Sequence, residues 1–225
     1  MNNFSKSDHP EAQLGIGYAF LAFLSWGILP IYWKLLDNVP SFEILAHRTL
    51  WSAVFLLVLL AVKKRLGEFQ ELLESRKHIW MLLGTASLLG VNWFVYIYGV
   101  NTNRVVETSL GYFINPLLNV LMGILVLKER LDFWRGLAVA LASLGVLNYL
   151  WNFGSLPWIA LSLAFTFSLY GLLRKVIPVK PLVGLFIETS LLAPLATILI
   201  VVWKVEGSGN FGGDWRTTIL LIGGG

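Results

Sequence analysis

The chain has 225 residues, no cysteine, 56% apolar side chains and 13% charged ones, whereas an ordinary soluble domain carries roughly 25% charged residues. With a mean hydropathy of +0.71, this composition excludes a water-soluble globule and a disordered chain, because so much apolar surface needs the bilayer as its solvent. The lack of cysteine excludes disulfides and cysteine-ligated zinc, and the net charge of +4 matters through the positions of the positive residues.

Apolar runs long enough to cross a membrane follow one another along the sequence. A spanning helix needs roughly 20 apolar residues, and the continuous apolar character of these runs, without the alternation of a barrel strand, favours helices. The sequence therefore predicts an all-α polytopic membrane protein. Its seven complete helices lie near residues 14–36, 43–62, 79–100, 105–127, 134–151, 156–174 and 182–203, and an eighth run starts near Thr217 and is cut off at Gly225.

Positive residues are unevenly distributed between the two sides of the predicted membrane. Twelve Lys and Arg residues fall in the N-terminal tail, residues 1–13, and in the connections after helices 2, 4 and 6, whereas five lie near helix ends on the other side. Because positive residues collect on the cytoplasmic side, the sequence predicts a cytoplasmic N-terminus. The first helix is too long for a signal-peptide core and has no small-residue cleavage site, so we expect it to stay attached.

Two stretches of the sequence align with each other. An offset of 141 pairs residues 19–63 with 160–204 without gaps, and the identities include a proline and two lysines. Helix 1 then matches helix 6 and helix 2 matches helix 7. Because five helices separate the members of each pair, the second copy must cross the membrane in the opposite direction, as in many secondary transporters. The sequence thus predicts a first repeat over 14–151 and a second, incomplete one over 156–225; chance similarity of apolar segments is the alternative.

Charged side chains at the start of predicted helix 2 form the first candidate site. Glu43 and His47 are four residues apart and share a helix face, and Arg48 lies about 100° further round. Ionisable groups inside a span are unfavourable unless they face a cavity or a partner, so this pattern indicates a titrating histidine at a substrate cavity, positioned by Glu43 and flanked by a cation. An interfacial ion pair, with Arg48 reaching the lipid headgroups, is an equal alternative.

Predicted helix 4 carries a polar stripe. Thr108, Tyr112, Asn115 and Asn119 fall within about 60° of one another on a helical wheel, so this face is expected to meet protein or water. Pro116 removes a backbone donor and frees the carbonyl of Tyr112, which predicts a kink beside the two asparagines. Hydrogen bonding between helices is the alternative role of the asparagines.

Three further places in the first half carry polar or helix-breaking residues. Glu107 lies in the first turn of helix 4, where it either complements the helix N-terminus or takes part in coupling. Asn92 and Trp93 lie in helix 3, much of whose outer part is typical of an interfacial aromatic belt. In helix 1, Pro30 marks a second expected kink.

Glu188 is the one acidic residue in the interior of predicted helix 7, and the offset of 141 makes it the equivalent of His47. Inverted topology would place it in the inner half of the cavity. A buried acid there either pairs with a cation or titrates, and both roles fit coupling to protons or cations.

Four motifs, in this order and spacing, resemble one transporter family. They are EILAHRTLWS from residue 43, the NW of helix 3, NRVVETSLGYFINPLLNVLMG from residue 103 and LKERLDFWRG from residue 127. With them the chain resembles the RarD group of EamA-type permeases in the drug/metabolite transporter superfamily. The resemblance implies a ten-helix protein of the bacterial cytoplasmic (inner) membrane, made of two inverted EamA repeats, that moves small metabolites or drugs by alternating access. Helices 9 and 10 and most of helix 8 lie beyond Gly225, so we expect a C-terminally truncated form.

We therefore expect a secondary active transporter, more specifically an exporter, that binds a small-molecule substrate inside the lipid bilayer and is coupled to protons. No Walker A, HExxH or GxSxG motif is present, which weakens an enzymatic interpretation. We expect no cofactor, no metal and no nucleic-acid partner; a homodimer, a non-transporting scaffold or sensor, and a membrane-embedded enzyme stay open. The residues expected to meet the substrate or proton are His47, Arg48, Glu107, Tyr112, Asn115 and Glu188, with Glu43, Asn92, Trp93, Thr108 and Asn119 behind them.

Overall fold

The computed structural model describes residues 10–68, 76–152, 154 and 156–225, and these residues form helices joined by short connections. Seven of the helices are long and apolar enough to cross a membrane. This confirms the all-α polytopic fold, with helix ends within a few residues of the predicted ones. Most of the predicted tail, residues 1–9, lies outside the described residues. The long helices are α1 Pro10–Lys34, α2 Ser41–Val62, α3 Arg76–Asn101, α4 Val105–Leu125, α5 Phe133–Asn152, α6 Trp158–Val176 and α7 Pro181–Glu206, followed by the shorter α8 Trp215–Gly223.

Local sequence signals set the ends of the last two helices. Pro181 is the first residue of α7, where its fixed φ suits a helix and its missing N–H is not needed. Gly207 ends α7 with a φ of 71°, a left-handed conformation that glycine adopts without strain. The carboxylate of Asp214 accepts a hydrogen bond from the backbone N–H of Thr217 at 2.9 Å and so caps the start of α8.

Two of the interior prolines were predicted to bend their helices. The chain stays helical through Pro30 in α1 and through Pro116 in α4. Each proline still removes the donor that would have bonded the carbonyl four residues earlier, which leaves the Trp26 and Tyr112 carbonyls without that helical partner. The kinks themselves stay predictions.

Contacts between connections define one face of the helix bundle. Lys180, between α6 and α7, donates to Glu68 after α2 at 3.1 Å. Lys175, at the end of α6, donates to Glu129 in the connection between α4 and α5. The connections that follow α2, α4 and α6 therefore lie on the same side, which we call the basic face.

The remaining connections meet on the other side, the opposite face. Lys34, at the end of α1, donates to Asn103 between α3 and α4 at 2.6 Å, and Glu43, at the start of α2, binds Asn210 between α7 and α8. Helix α2 thus runs from the opposite face to the basic face and α7 runs the other way. Helices α1 and α6 also run in opposite directions, which is the arrangement that an inverted repeat requires.

The helices pack most closely in two pairs, α2 with α7 and α4 with α6, while α3 contacts both α6 and α7. Gly111 permits the close approach of α4 to α6, since a Cβ atom there would lie 3.1 Å from the carbonyl of Ala160. Helix α5 has no buried residue among those described, so it lies at the outside of the bundle. The candidate site therefore lies among α1 to α4, α6 and α7.

Candidate functional site

A polar cavity of about 80 Å³ lies between α1, α2, α3, α4 and α6. It brings together five of the residues singled out from the sequence: Arg48, Asn92, Trp93, Tyr112 and Asn115. Because these come from three different helices, only the fold makes them neighbours. The other lining residues are Trp26, Leu29, Tyr96, Gly111, Leu163 and Phe167.

Arg48 supplies the positive charge of this cavity. Its guanidinium carbon lies 4.2 Å from the ring centroid of Trp93 and 5.1 Å from that of Trp33, so both aromatic rings hold the cation. Among the described residues, its buried Nε has no hydrogen-bond partner, and no carboxylate lies within ion-pair distance of it. The charge is therefore positioned but not neutralised.

Aromatic rings from α1, α3 and α4 form one wall of the cavity. The ring of Tyr112 lies 6.5 Å from that of Trp26 in a stacked arrangement and 6.0 Å from that of Tyr96 in an edge-on one. Trp26 and Tyr112 are almost half exposed, so this wall separates the cavity from the outside of the described bundle.

The asparagines of α3 and α4 bind α6. The amide nitrogen of Asn92 donates to the hydroxyl of Thr166 at 2.9 Å, and that of Asn115 donates to the hydroxyl of Ser168 at 2.9 Å. The amide of Asn119 in turn donates to the Asn115 oxygen at 3.1 Å. The polar stripe of α4 thus links helices, and two of its residues, Tyr112 and Asn115, also line the cavity.

His47 and Glu43 face the connection between α7 and α8 and do not line the cavity. The Glu43 carboxylate accepts hydrogen bonds from the backbone N–H of Asn210 at 2.6 Å and from its side-chain amide at 2.8 Å. The imidazole of His47 is buried and stacks on Phe211 with centroids 4.7 Å apart. Neither of its nitrogens has a hydrogen-bond partner in the described part of the chain.

Glu107 joins α4 to the start of α6. Its carboxylate accepts the backbone N–H of Ile159 at 2.9 Å and forms an ion pair with Arg104. Ile159 lies in the first turn of α6, where backbone N–H groups lack helical partners, so Glu107 caps the start of a neighbouring helix, while its charge lies in the first turn of its own. The adjacent Thr108 hydroxyl donates to the Val105 carbonyl at 2.7 Å, inside its own helix.

Glu188 is the centre of a second buried polar cluster, towards the basic face. Its carboxylate is fully buried and accepts hydrogen bonds from the hydroxyls of Thr85 at 2.7 Å and Tyr170 at 3.1 Å. Arg174 lies 3.8 Å from it with 13% of its side chain exposed. The cluster thus joins α3, α6 and α7 around an acid whose partners are already in place.

Outside the spans, Glu68 has the most strongly altered acidity of the described connections. Hydrogen bonds from Arg65 and then from Lys180 lower the pKa of this carboxyl to about 2, because they stabilise its charged form. The Lys180 contact joins a connection of the first predicted repeat to one of the second. Glu68 is therefore charged at neutral pH and helps to hold the basic face together.

Several residues of these two clusters were not predicted from the sequence. Arg174 resembles an ordinary positive residue near a helix end, and its contact with Glu188 is visible only once α6 and α7 pack together. Trp33 and Tyr96 have no pattern that separates them from membrane-belt aromatic residues. Tyr170 could have been noticed as a hydroxyl in an apolar span, four residues before Arg174.

Comparison with known proteins shows the family. The EamA-like transporter family model matches residues 13–151, which is more than half of the chain. The chain belongs to the EamA-like transporter family. It is 46% identical over 215 residues to Protein RarD of Salmonella typhi, covering 96% of this chain and 73% of that protein. It is 45% identical over 212 residues to an uncharacterized transporter of Pseudomonas aeruginosa, covering 93% of this chain and 71% of that protein.

This EamA-like chain is also 42% identical to an uncharacterized transporter of Bacillus subtilis, and the match covers 94% of this chain and 73% of that protein. No solved structure shows a significant match. Together with the seven apolar helices, family membership identifies a multi-pass membrane transporter of the EamA type. The resemblance seen in the sequence motifs is therefore confirmed.

Proposed function

We propose that the chain is a secondary active transporter that exports small metabolites by alternating access, with the Arg48 cavity as its substrate site. The observation that carries this proposal is a positive charge held by aromatic rings in a cavity, with no protein anion near it among the described residues. A buried charge without a partner is unfavourable, and such groups inside spans are associated with substrate pathways. The asparagines beside it hold α6 against α3 and α4 and so fix the shape of the site.

We further propose that a proton titrates on Glu188 or His47 during the cycle. The support is their equivalence under the offset of 141 and the opposite directions of α2 and α7, which put the two groups in opposite halves of the bundle. An acid with hydroxyl donors and a nearby guanidinium can change protonation when those partners move. In this proposal the basic face is cytoplasmic and the N-terminus lies in the cytoplasm of a bacterial inner membrane.

The test is counterflow in proteoliposomes that contain the 225-residue chain, loaded with an unfractionated mixture of small metabolites. The expected result is protein-dependent exchange of at least one metabolite, reduced at least tenfold by Arg48→Gln. Arg216→Gln, which alters an exposed arginine of α8, is the matched control and should exchange as the wild type does. Exchange that is equal in both variants would remove Arg48 from the site, and the absence of any exchange would contradict the transporter function.

A further inference from the structure

The charge balance of the Arg48 cavity restricts what can occupy it. Among its described lining residues Arg48 is the one charged group, and none is an aspartate or glutamate. A single guanidinium can neutralise a single anionic group, whereas a second negative charge would be left without a partner in a poorly solvated site. An ammonium group would likewise find no carboxylate to pair with.

The geometry of the guanidinium favours a carboxylate. Trp33 and Trp93 lie against the cation, and cation–π contacts leave the N–H groups at its edge available as hydrogen-bond donors. The Nε of Arg48 has no acceptor among the described residues. Planar carboxylates match the paired N–H groups of arginine and form charge-assisted hydrogen bonds with them.

The asparagine amides beside the cavity are already used as donors. The amide nitrogens of Asn92 and Asn115 donate to α6, so they are not free to bind a sugar or a phosphate. Leu29, Leu163 and Phe167 add apolar surface. The part of the ligand that meets this surface is therefore expected to be apolar, since hydroxyl groups placed against it would lose hydrogen bonds to water without replacement.

The volume of the cavity limits the size of its ligand. A cavity of about 80 Å³ has roughly half the volume of the apolar cavity of about 150 Å³ that holds benzene. We infer that the Arg48 cavity selects a small apolar monocarboxylate, in preference to neutral, zwitterionic or doubly charged molecules of the same length. This inference rests on the proposed transporter function and names its substrate class.

Four compounds with the same number of carbons test the inference. Butyrate, butyramide, 2-aminobutyrate and succinate differ in charge but hardly in length, and each is titrated into the purified chain in detergent at pH 7 by calorimetry. Butyrate should bind at least tenfold more tightly than each of the other three. Equal or tighter binding of butyramide, 2-aminobutyrate or succinate would overturn the inference, as would the absence of butyrate binding.

Substitutions of Arg48 test whether this residue binds the carboxylate. Arg48→Gln should lower butyrate affinity at least tenfold and leave the weak butyramide affinity unchanged, and Arg48→Lys, which keeps the charge without the planar fork, should retain part of the affinity. Arg216→Gln should bind as the wild type does. Unchanged butyrate affinity in Arg48→Gln would overturn the inference. If metabolite exchange depends on Arg48 but the exchanged metabolites are not monocarboxylates, the substrate class fails while the transporter function stands.

Discussion

The two buried polar clusters differ in how their charges are compensated. Arg48 lies in a cavity with aromatic rings around it and no anion in the described residues. Glu188 is fully buried, and two hydroxyls and a guanidinium surround it. An uncompensated charge that lines a cavity is suited to a ligand from outside the protein, whereas a buried, compensated charge is suited to holding helices together or to exchanging a proton.

The predicted repeat relates the two clusters to each other. The offset of 141 aligns His47 with Glu188 and Arg48 with Thr189. Helices α2 and α7 pack closely and run in opposite directions, so each puts its polar pair into a different half of the bundle. Adjacent positions of the two predicted repeats thus carry a free cation in one half and a satisfied acid in the other.

The largest expected effect is the loss of flux driven by a pH gradient when the buried acid Glu188 is replaced. Glu188→Gln keeps hydrogen-bonding capacity towards Thr85 and Tyr170 but cannot take up or release a proton. We expect exchange driven by a pH gradient in proteoliposomes to be lost, while counterflow without a gradient and the far-ultraviolet circular dichroism of the chain stay as in the wild type. Gradient-driven flux that persists in this variant would remove Glu188 from coupling.

The two clusters should also differ in how much they contribute to the stability of the fold. Glu188→Ala leaves Arg174 without its anion and two hydroxyls without their acceptor, and should lower the free energy of unfolding by about 2–3 kcal/mol. Arg48→Gln loses two cation–π contacts but also removes a buried charge that has no protein anion, so the stability of this variant should stay within about 0.5 kcal/mol of the wild type or rise. Denaturant titration in detergent measures both variants. A large loss of stability in Arg48→Gln and none in Glu188→Ala would reverse our assignment of the two clusters.

The contact between Glu43 and Asn210 extends the comparison to the opposite face. Glu43→Ala removes two hydrogen bonds to the connection between α7 and α8 and should lower stability by about 1–2 kcal/mol. Because the chain has no cysteine, one introduced by Ser208→Cys, at an exposed residue of this connection, reports its exposure without background. Labelling of that cysteine by a water-soluble maleimide should be faster in the Glu43→Ala background, and an unchanged rate would show that Glu43 does not hold the connection.

The smallest expected effect concerns Glu68 on the basic face. Its folded-state pKa of about 2 lies below the ordinary value of a glutamate, near 4.3, so its contribution to stability is present above pH 4.3 and is lost as the pH falls towards 2. The melting temperature of Glu68→Gln should therefore lie slightly below that of the wild type at pH 6, and the two should converge near pH 2.5. A difference that grows with acid would contradict this sign.

The sequence was informative where a property depends on neighbours along the chain. The spans follow from runs of apolar residues, and the side of helix 4 that carries Tyr112 and Asn115 follows from helical geometry. Both reach the cavity in the structure. The family could be predicted from short motifs because their residues are consecutive.

What escaped prediction depends on packing between distant segments. Glu43 and His47 share a helix face, yet Glu43 binds Asn210 and His47 stacks on Phe211, because a connection more than 160 residues away folds over them. Glu107 caps a helix that begins some 50 residues later. No local pattern contains such pairings, so whether a polar residue in a span holds helices together or meets a ligand can be decided only from the folded bundle.

The two faces are held by contacts of different physical kinds. On the basic face, Lys180 with Glu68 and Lys175 with Glu129 are exposed pairs of opposite full charges, which dissolved ions weaken. On the opposite face, Glu43 binds neutral amide donors in a partly buried place, where ions have little influence. The ionic strength of the medium bathing one leaflet therefore weakens the contacts between connections at that end more than at the other, so the salt content of a single compartment acts unequally on the two ends of the protein.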